Sequence, residues 1–320
     1  MAASQQDGKW RRRLTWPWRA PISLVLLIGI AVLVATTIYG ANRQPQRPPI
    51  QAPTASQSEL YRPAATPSPD HPAPLQPALQ DVIRQIQSNP DLSLGVAISN
   101  ITKPQTRKQA TLTAGTVTSG EAWHTIAIPM ALAIVAQERQ PEDRDYLFRR
   151  ALASDSTAGM DAMWAFLGDP AQAAAKTTAQ LREYSDHLTT VPQAGNRGYQ
   201  AYLTTPWRLE DQAQYLAAMS CSYRRTQPVF AFLDEHLPAE SFGLAKLPGA
   251  FVKDGQGLNE SGQLVYRQTG ILWLADGTEV AVALSVASDT HDDVAIKAAL
   301  DRLASVIATQ VGGFNAPTCG

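Results

Sequence analysis

Between positions 20 and 42 the chain carries no charged residue, and its centre, Ile22–Tyr39, is apolar almost throughout. A run of roughly 20 such residues crosses about 30 Å of hydrocarbon as a helix. Past residue 75 the apolar positions become periodic. Leu75–Ser88 mixes apolar and polar residues at helical spacing and predicts a helix closed by Asn89-Pro90. Leu92–Ser99 and Gln109–Gly115 predict strands around a Lys-Pro turn, and Trp123–Gln137 predicts a buried helix in which Pro129 must sit near the first turn or impose a kink. Short helices are expected at Glu142–Ala153, Thr157–Leu167, Thr177–Ser185, Leu209–Ser220 and Pro228–His236. Strands return at Ala250–Lys253, Leu264–Leu274 and Glu279–Ala287, the last two joined by Ala275-Asp276-Gly277-Thr278, before a closing helix at Val294–Thr309. Helix, two strands, a helical block, three strands and a helix predict an α+β fold. Its antiparallel five-stranded sheet draws on both ends of the folded region and is flanked by N- and C-terminal helices.

Charge sets the orientation of the apolar run. Lys9, Arg11, Arg12, Arg13 and Arg19 precede it against one acid, Asp7, and Trp10, Trp16 and Trp18 suit a membrane interface. The expected organisation is a basic cytoplasmic segment at 1–20, a transmembrane helix at 21–41, a Pro-rich disordered linker at 42–75 and an extracytoplasmic domain at 76–320. The domain would carry a helical insertion at about 140–240. A cleaved signal peptide is the competing reading of the apolar run. Its apolar core is typically only about 7–15 residues long, so an uncleaved, single-pass anchor in the cell membrane is favoured. A net charge of −1 gives no electrostatic case for nucleic acid. Outside the membrane Cys221 and Cys319 are expected to be oxidised to a disulfide if geometry permits, the alternative being two unrelated thiols. His124, His187, His236 and His291 are too scattered to indicate a metal site, and no cofactor is expected.

Three short segments bear on chemistry. In the S-x-x-K motif of serine acyl transferases, a serine at a helix start has a lysine on the same face three residues later. Here Glu121-Ala122-Trp123-His124-Thr125-Ile126-Ala127 places His124 and Ala127 at those positions. Thr125 lies about 100° around the helix and should miss the cleft. Ser154-Asp155-Ser156 follows a helix and stands where S-D-N would, although Ser154 or Asp155 could equally cap the next helix. Lys253-Asp254-Gly255 stands where K-T-G would. Lys253 could attract an anion and Gly255 could admit close backbone approach, while Asp254 sets a negative charge beside the lysine; a charged turn is the alternative.

These segments and the element order resemble the serine β-lactamase and penicillin-binding protein superfamily, and within it most closely the exported β-lactamase-like proteins of actinobacteria. The resemblance covers roughly residues 75–311, with Pro206-Trp207-Arg208-Leu209 similar to a tryptophan-containing helix start in that group. It implies acyl transfer by a serine with a lysine partner, both of which this chain lacks at the matching positions. The expectation is therefore a catalytically inactive relative that binds a peptidoglycan fragment or an envelope protein through the old cleft. Lys253, Asp254 and Gly255 would lie on its ligand side. The alternatives are an active hydrolase with a rearranged site and a purely structural interaction module with a closed cleft.

Overall fold

Strand β7 (Glu279–Ser288) is buried along nearly its whole length, as is its neighbour β1 (Leu92–Asn100). Strands that read as continuous apolar runs are covered on both faces. The computed structural model describes residues 76–103, 111–235 and 241–319, all within the unit spanning 64–320. The expected cytoplasmic segment at 1–20, the membrane span at 21–41 and the linker at 42–75 lie outside the described residues. Among the described residues no helix is long and apolar enough to cross a membrane.

The sheet is five-stranded and wholly antiparallel, in the order β2-β1-β7-β6-β5. Its remaining strands are β2 (Thr111–Gly115), β5 (Phe251–Leu258) and β6 (Leu264–Trp273). Leu94, Val96 and Ile98 of β1 and Val280, Val282, Leu284 and Val286 of β7 point to one face. There they pack on helix α1 (Pro77–Gln87) and the closing helix α8 (Asp293–Gln310). The opposite face is built from small residues, with Ala97 and Ala283 against Leu209 and Ala213 of helix α6 (Leu209–Ser220). Small side chains let α6 lie close on the sheet, and its other side joins the core of the helical block. Between Leu209 and Met219 every residue of α6 except Glu210 is buried.

The helical block holds α2 (Ala127–Val135), α3 (Arg144–Phe148), α4 (Thr157–Leu167), α5 (Pro170–Glu183) and α7 (Tyr223–Leu233). Several boundaries depart from the sequence reading. Trp123–Ile126 is a 3-10 turn feeding α2, whose first turn contains Pro129, where a missing N–H costs nothing. The helix expected over Glu142–Ala153 is α3 followed by a π turn at Arg149–Ala153. Helix α5 starts at Pro170 rather than Thr177, because Asp169 and Gln172 form a reciprocal capping box ahead of it. Helix α7 begins at Tyr223 and runs through Pro228. Strand β5 continues past Lys253 to Leu258, through two glycines that weaken its sequence signal. A two-stranded ribbon of β3 (Ser119–Glu121) and β4 (Pro206–Arg208) was not anticipated at all.

The two cysteines are joined. Cys221, at the end of α6, bonds Cys319 across a sequence separation of 98 residues, with Cα atoms 5.0 Å apart. The tail leading to it is fastened to the end of β1, where Thr318 N donates to Ile101 O at 3.0 Å and Asn315 N to Asn100 Oδ1 at 2.9 Å. The C-terminus thus ties the sheet to the helical block.

Candidate functional site

The turn at Trp123–Ile126 is pinned from three directions. Strand β5 lies directly over it: a Cβ added at Gly255 would stand 2.5 Å from His124 N, and one at Gly257 would overlap the Trp123 ring. Only glycine admits so close an approach of two backbones. From the outside, Tyr199 meets the Trp123 ring edge-on, with centroids 5.0 Å apart. Arg197 then bridges Glu121 and Leu258 O, donating to both. Trp123 itself has φ of 48°, a left-handed conformation that a bulky residue rarely adopts. Such strain persists only where the surroundings over-determine it, and it concentrates at functional sites.

From below, the turn rests on a buried polar chain. Thr125 Oγ1 donates to Ala122 O at 2.6 Å and accepts from Gln212 Nε2 at 2.9 Å. Gln212 Oε1 in turn accepts from Arg267 Nε at 2.8 Å. Arg267, on β6 and 1% exposed, also donates to the carbonyls of Gly120, Glu121 and Trp207. Burial pushes its pKa down to about 9, still well above neutrality, so the guanidinium is charged and satisfied by acceptors alone. This clamp locks the β3–β4 ribbon and the turn to the sheet. Thr125 is therefore fully buried scaffolding, its hydroxyl taken up within this chain.

His124 is left as the polar side chain of the turn that faces the helical block. Its Nε2 lies 3.1 Å from Thr157 Oγ1 at the start of α4. Its Nδ1 is buried without a hydrogen-bond partner among the described residues. Burial, reinforced by the Lys253 charge and opposed by Asp254, lowers its pKa from 6.5 to about 4, so the imidazole is neutral at physiological pH. Ala127, one turn on, is fully buried in the core of the helical block and brings no polar group.

The loop before α4 departs from the register read in the sequence. Ser154 is exposed, and its hydroxyl turns back to Arg149 O at 3.3 Å. Ser156 caps α4, accepting from Gly159 N at 3.2 Å and from Arg150 Nη2 at 3.0 Å. A cap was foreseen here for Ser154 or Asp155, and it falls on Ser156. The residues of this loop that meet the rest of the site are Asp155 and Thr157. Asp155, at φ of 49°, forms a close ion pair with Lys253. Asp254 Oδ1 lies 3.6 Å from the same ammonium. The Lys253 side chain is 0% exposed, while those of Asp155 and Asp254 keep 34% and 28%. Burial lowers the lysine's pKa, and Asp254 works against that shift. Thus His124, Asp155, Lys253, Asp254 and Gly255 converge, Ala127 lies beneath, and the Ser154 and Ser156 hydroxyls turn away.

The comparisons agree with this architecture. A variant of the last common ancestor of Gram-negative bacteria class A β-lactamase superposes with a TM-score of 0.52 at 17% identity, covering 72% of this chain and 97% of that one. A PBP-A mutant in acyl-enzyme complex with penicillin G gives 0.52 at 15%, covering 75% and 98%. TLA-3 extended-spectrum β-lactamase gives 0.54 at 14%, covering 73% and 100%. The chain has the serine β-lactamase and penicillin-binding protein fold. No family profile and no curated protein sequence matches it.

Within this β-lactamase-like domain, sequence reasoning missed Thr157, Gln212 and Arg267. Arg267 did leave a signal: a lone arginine within the apolar strand Leu264–Trp273 has to find buried acceptors. Among the described residues no group of three or more His, Cys, Asp or Glu side chains could hold a metal ion.

Proposed function

We propose that this protein is a non-hydrolysing β-lactamase-like domain, held outside the cell membrane by a single N-terminal span, that binds a cell-wall fragment or an envelope protein. The observation carrying this reading is the turn beneath β5. There the nucleophile position of S-x-x-K holds an imidazole of lowered basicity, and the lysine position holds the buried methyl group of Ala127. Nucleophilic catalysis needs a base within reach whose pKa lies near the working pH. The anchored location rests on the uncharged run at 20–42 and the basic residues ahead of it. Treating the domain with a fluorescent penicillin and resolving it on a denaturing gel tests the reading. No covalent band is expected; a band that disappears when the protein is heat-unfolded beforehand overturns it.

One contact favours a second reading, an active hydrolase with a rearranged site. The 3.1 Å between His124 Nε2 and Thr157 Oγ1 is within base–nucleophile range. Against it, a pKa of about 4 makes His124 a weak base, and among the described residues its Nδ1 has no partner to orient the ring. Chromogenic cephalosporin and ester assays decide. Turnover lost in both His124→Ala and Thr157→Ala establishes the hydrolase, and background rates throughout dismiss it.

A further inference from the structure

The loop carrying Asp155 is held on both sides of that residue and aims it at β5. Ser156 N donates to Arg150 O at 2.9 Å, the Ser156 hydroxyl caps α4, and the Ser154 hydroxyl returns to Arg149 O. Between these anchors Asp155 adopts φ of 49° and reaches the ammonium of Lys253. A second contact, His124 to Thr157, runs from the turn under β5 to the same loop. Both join the sheet side of the site to the helical block. The ammonium, the group of this site able to attract an anion, is fully enclosed, and what the cluster shows to solvent is carboxylate.

We infer that Asp155 is a built-in latch: a tethered carboxylate that occupies Lys253 and keeps carboxylate-bearing ligands off that lysine until it is displaced. This rests on the reading of the domain as a binding module. A tethered partner competes at the high effective concentration of an intramolecular group, which a dilute free carboxylate does not match. The fixed loop adds preorganisation, since little further order is lost when the pair forms. Asp254 keeps the lysine partly compensated when Asp155 leaves, so the latch can release without stranding a bare buried charge.

The test is non-covalent binding of a fluorescent penicillin, whose carboxylate is the probe, followed by polarisation. Asp155→Asn keeps a residue tolerant of the left-handed conformation and removes the charge. Asp155→Gly does the same with no side chain. Both are expected to bind the probe at least tenfold more tightly than wild type, a gain lost again when Lys253→Met is added. Equal binding by wild type and both variants, with melting curves showing them folded, overturns the latch, as does a gain that survives Lys253→Met. Polarisation that vanishes on denaturation reads the latch, whereas label that survives it reads the chemistry tested above, so the two proposals fail separately.

Discussion

His124 makes the stability of this domain depend on pH in a way that can be worked from its surroundings. In the unfolded chain the imidazole takes up its proton near pH 6.5; in the folded domain burial and the Lys253 charge delay this to about pH 4. Between those values the unfolded state binds more protons, so stability falls as the pH is lowered from 6.5 to about 4 and is unaffected by His124 above that window. At about 1.4 kcal/mol per pH unit, the shift corresponds to roughly 3 kcal/mol lost across the window. Urea denaturation of wild type and His124→Gln from pH 7.5 to 4 measures it. The glutamine retains a polar group near Thr157 and does not titrate, so the difference between the two curves isolates the imidazole. The wild type should lose up to about 3 kcal/mol more than the variant, with an NMR titration midpoint for His124 near 4. Parallel stability curves, or a midpoint at 6 or above on the order of a free imidazole, would refute the enclosure of the ring by β5 and α4.

Three further outcomes concern the turn and the C-terminal tie. Arg267→Met should destabilise the domain by roughly 3–5 kcal/mol in thermal or urea unfolding, because it orphans buried carbonyls and the Gln212 amide together. Gly255→Ala forces a methyl group to within 2.5 Å of His124 N, and a cost of about 1–3 kcal/mol, with altered Trp123 fluorescence, is expected. Cys319→Ser should lower stability by at most roughly 5 kcal/mol relative to the oxidised protein, and wild type under reducing conditions should match it. Intact mass before and after reduction confirms the starting state.

How much of this was legible in the sequence differs by element. β6, β7 and β1 announce themselves as short, largely apolar runs buried on both faces, and α8 as an amphipathic helical pattern whose apolar side is buried. The β3–β4 ribbon left no signal. Ser-Gly-Glu and Pro-Trp-Arg have no alternation, and three of the carbonyls around them are held by a guanidinium arriving from β6. β5 was read short because Gly255 and Gly257 look like the end of a strand, whereas they mark where the strand presses on the turn. At the site, chain order sufficed to bring His124 and Lys253 together. It did not supply the one-residue offset that turns Ser154 and Ser156 away and presents Asp155 and Thr157, because side-chain direction in a left-handed loop depends on φ rather than on spacing.

The charged and polar side chains of the site form one electrostatic unit. Lys253 is wholly enclosed, and a buried ammonium without a counter-charge costs several kcal/mol. Asp155 and Asp254 supply that counter-charge from two different elements, the loop before α4 and β5 itself. His124 fits the same balance only as a neutral ring. An imidazolium would stand against the Lys253 charge, and the lysine is one of the causes that lower the histidine's pKa. A proton on His124 and a free ammonium on Lys253 therefore oppose each other, while Asp155 holds the ammonium in its ion pair. On the proposed reading, Lys253 meets an incoming anion only once Asp155 has moved, and that makes the aspartate the residue on which binding would turn.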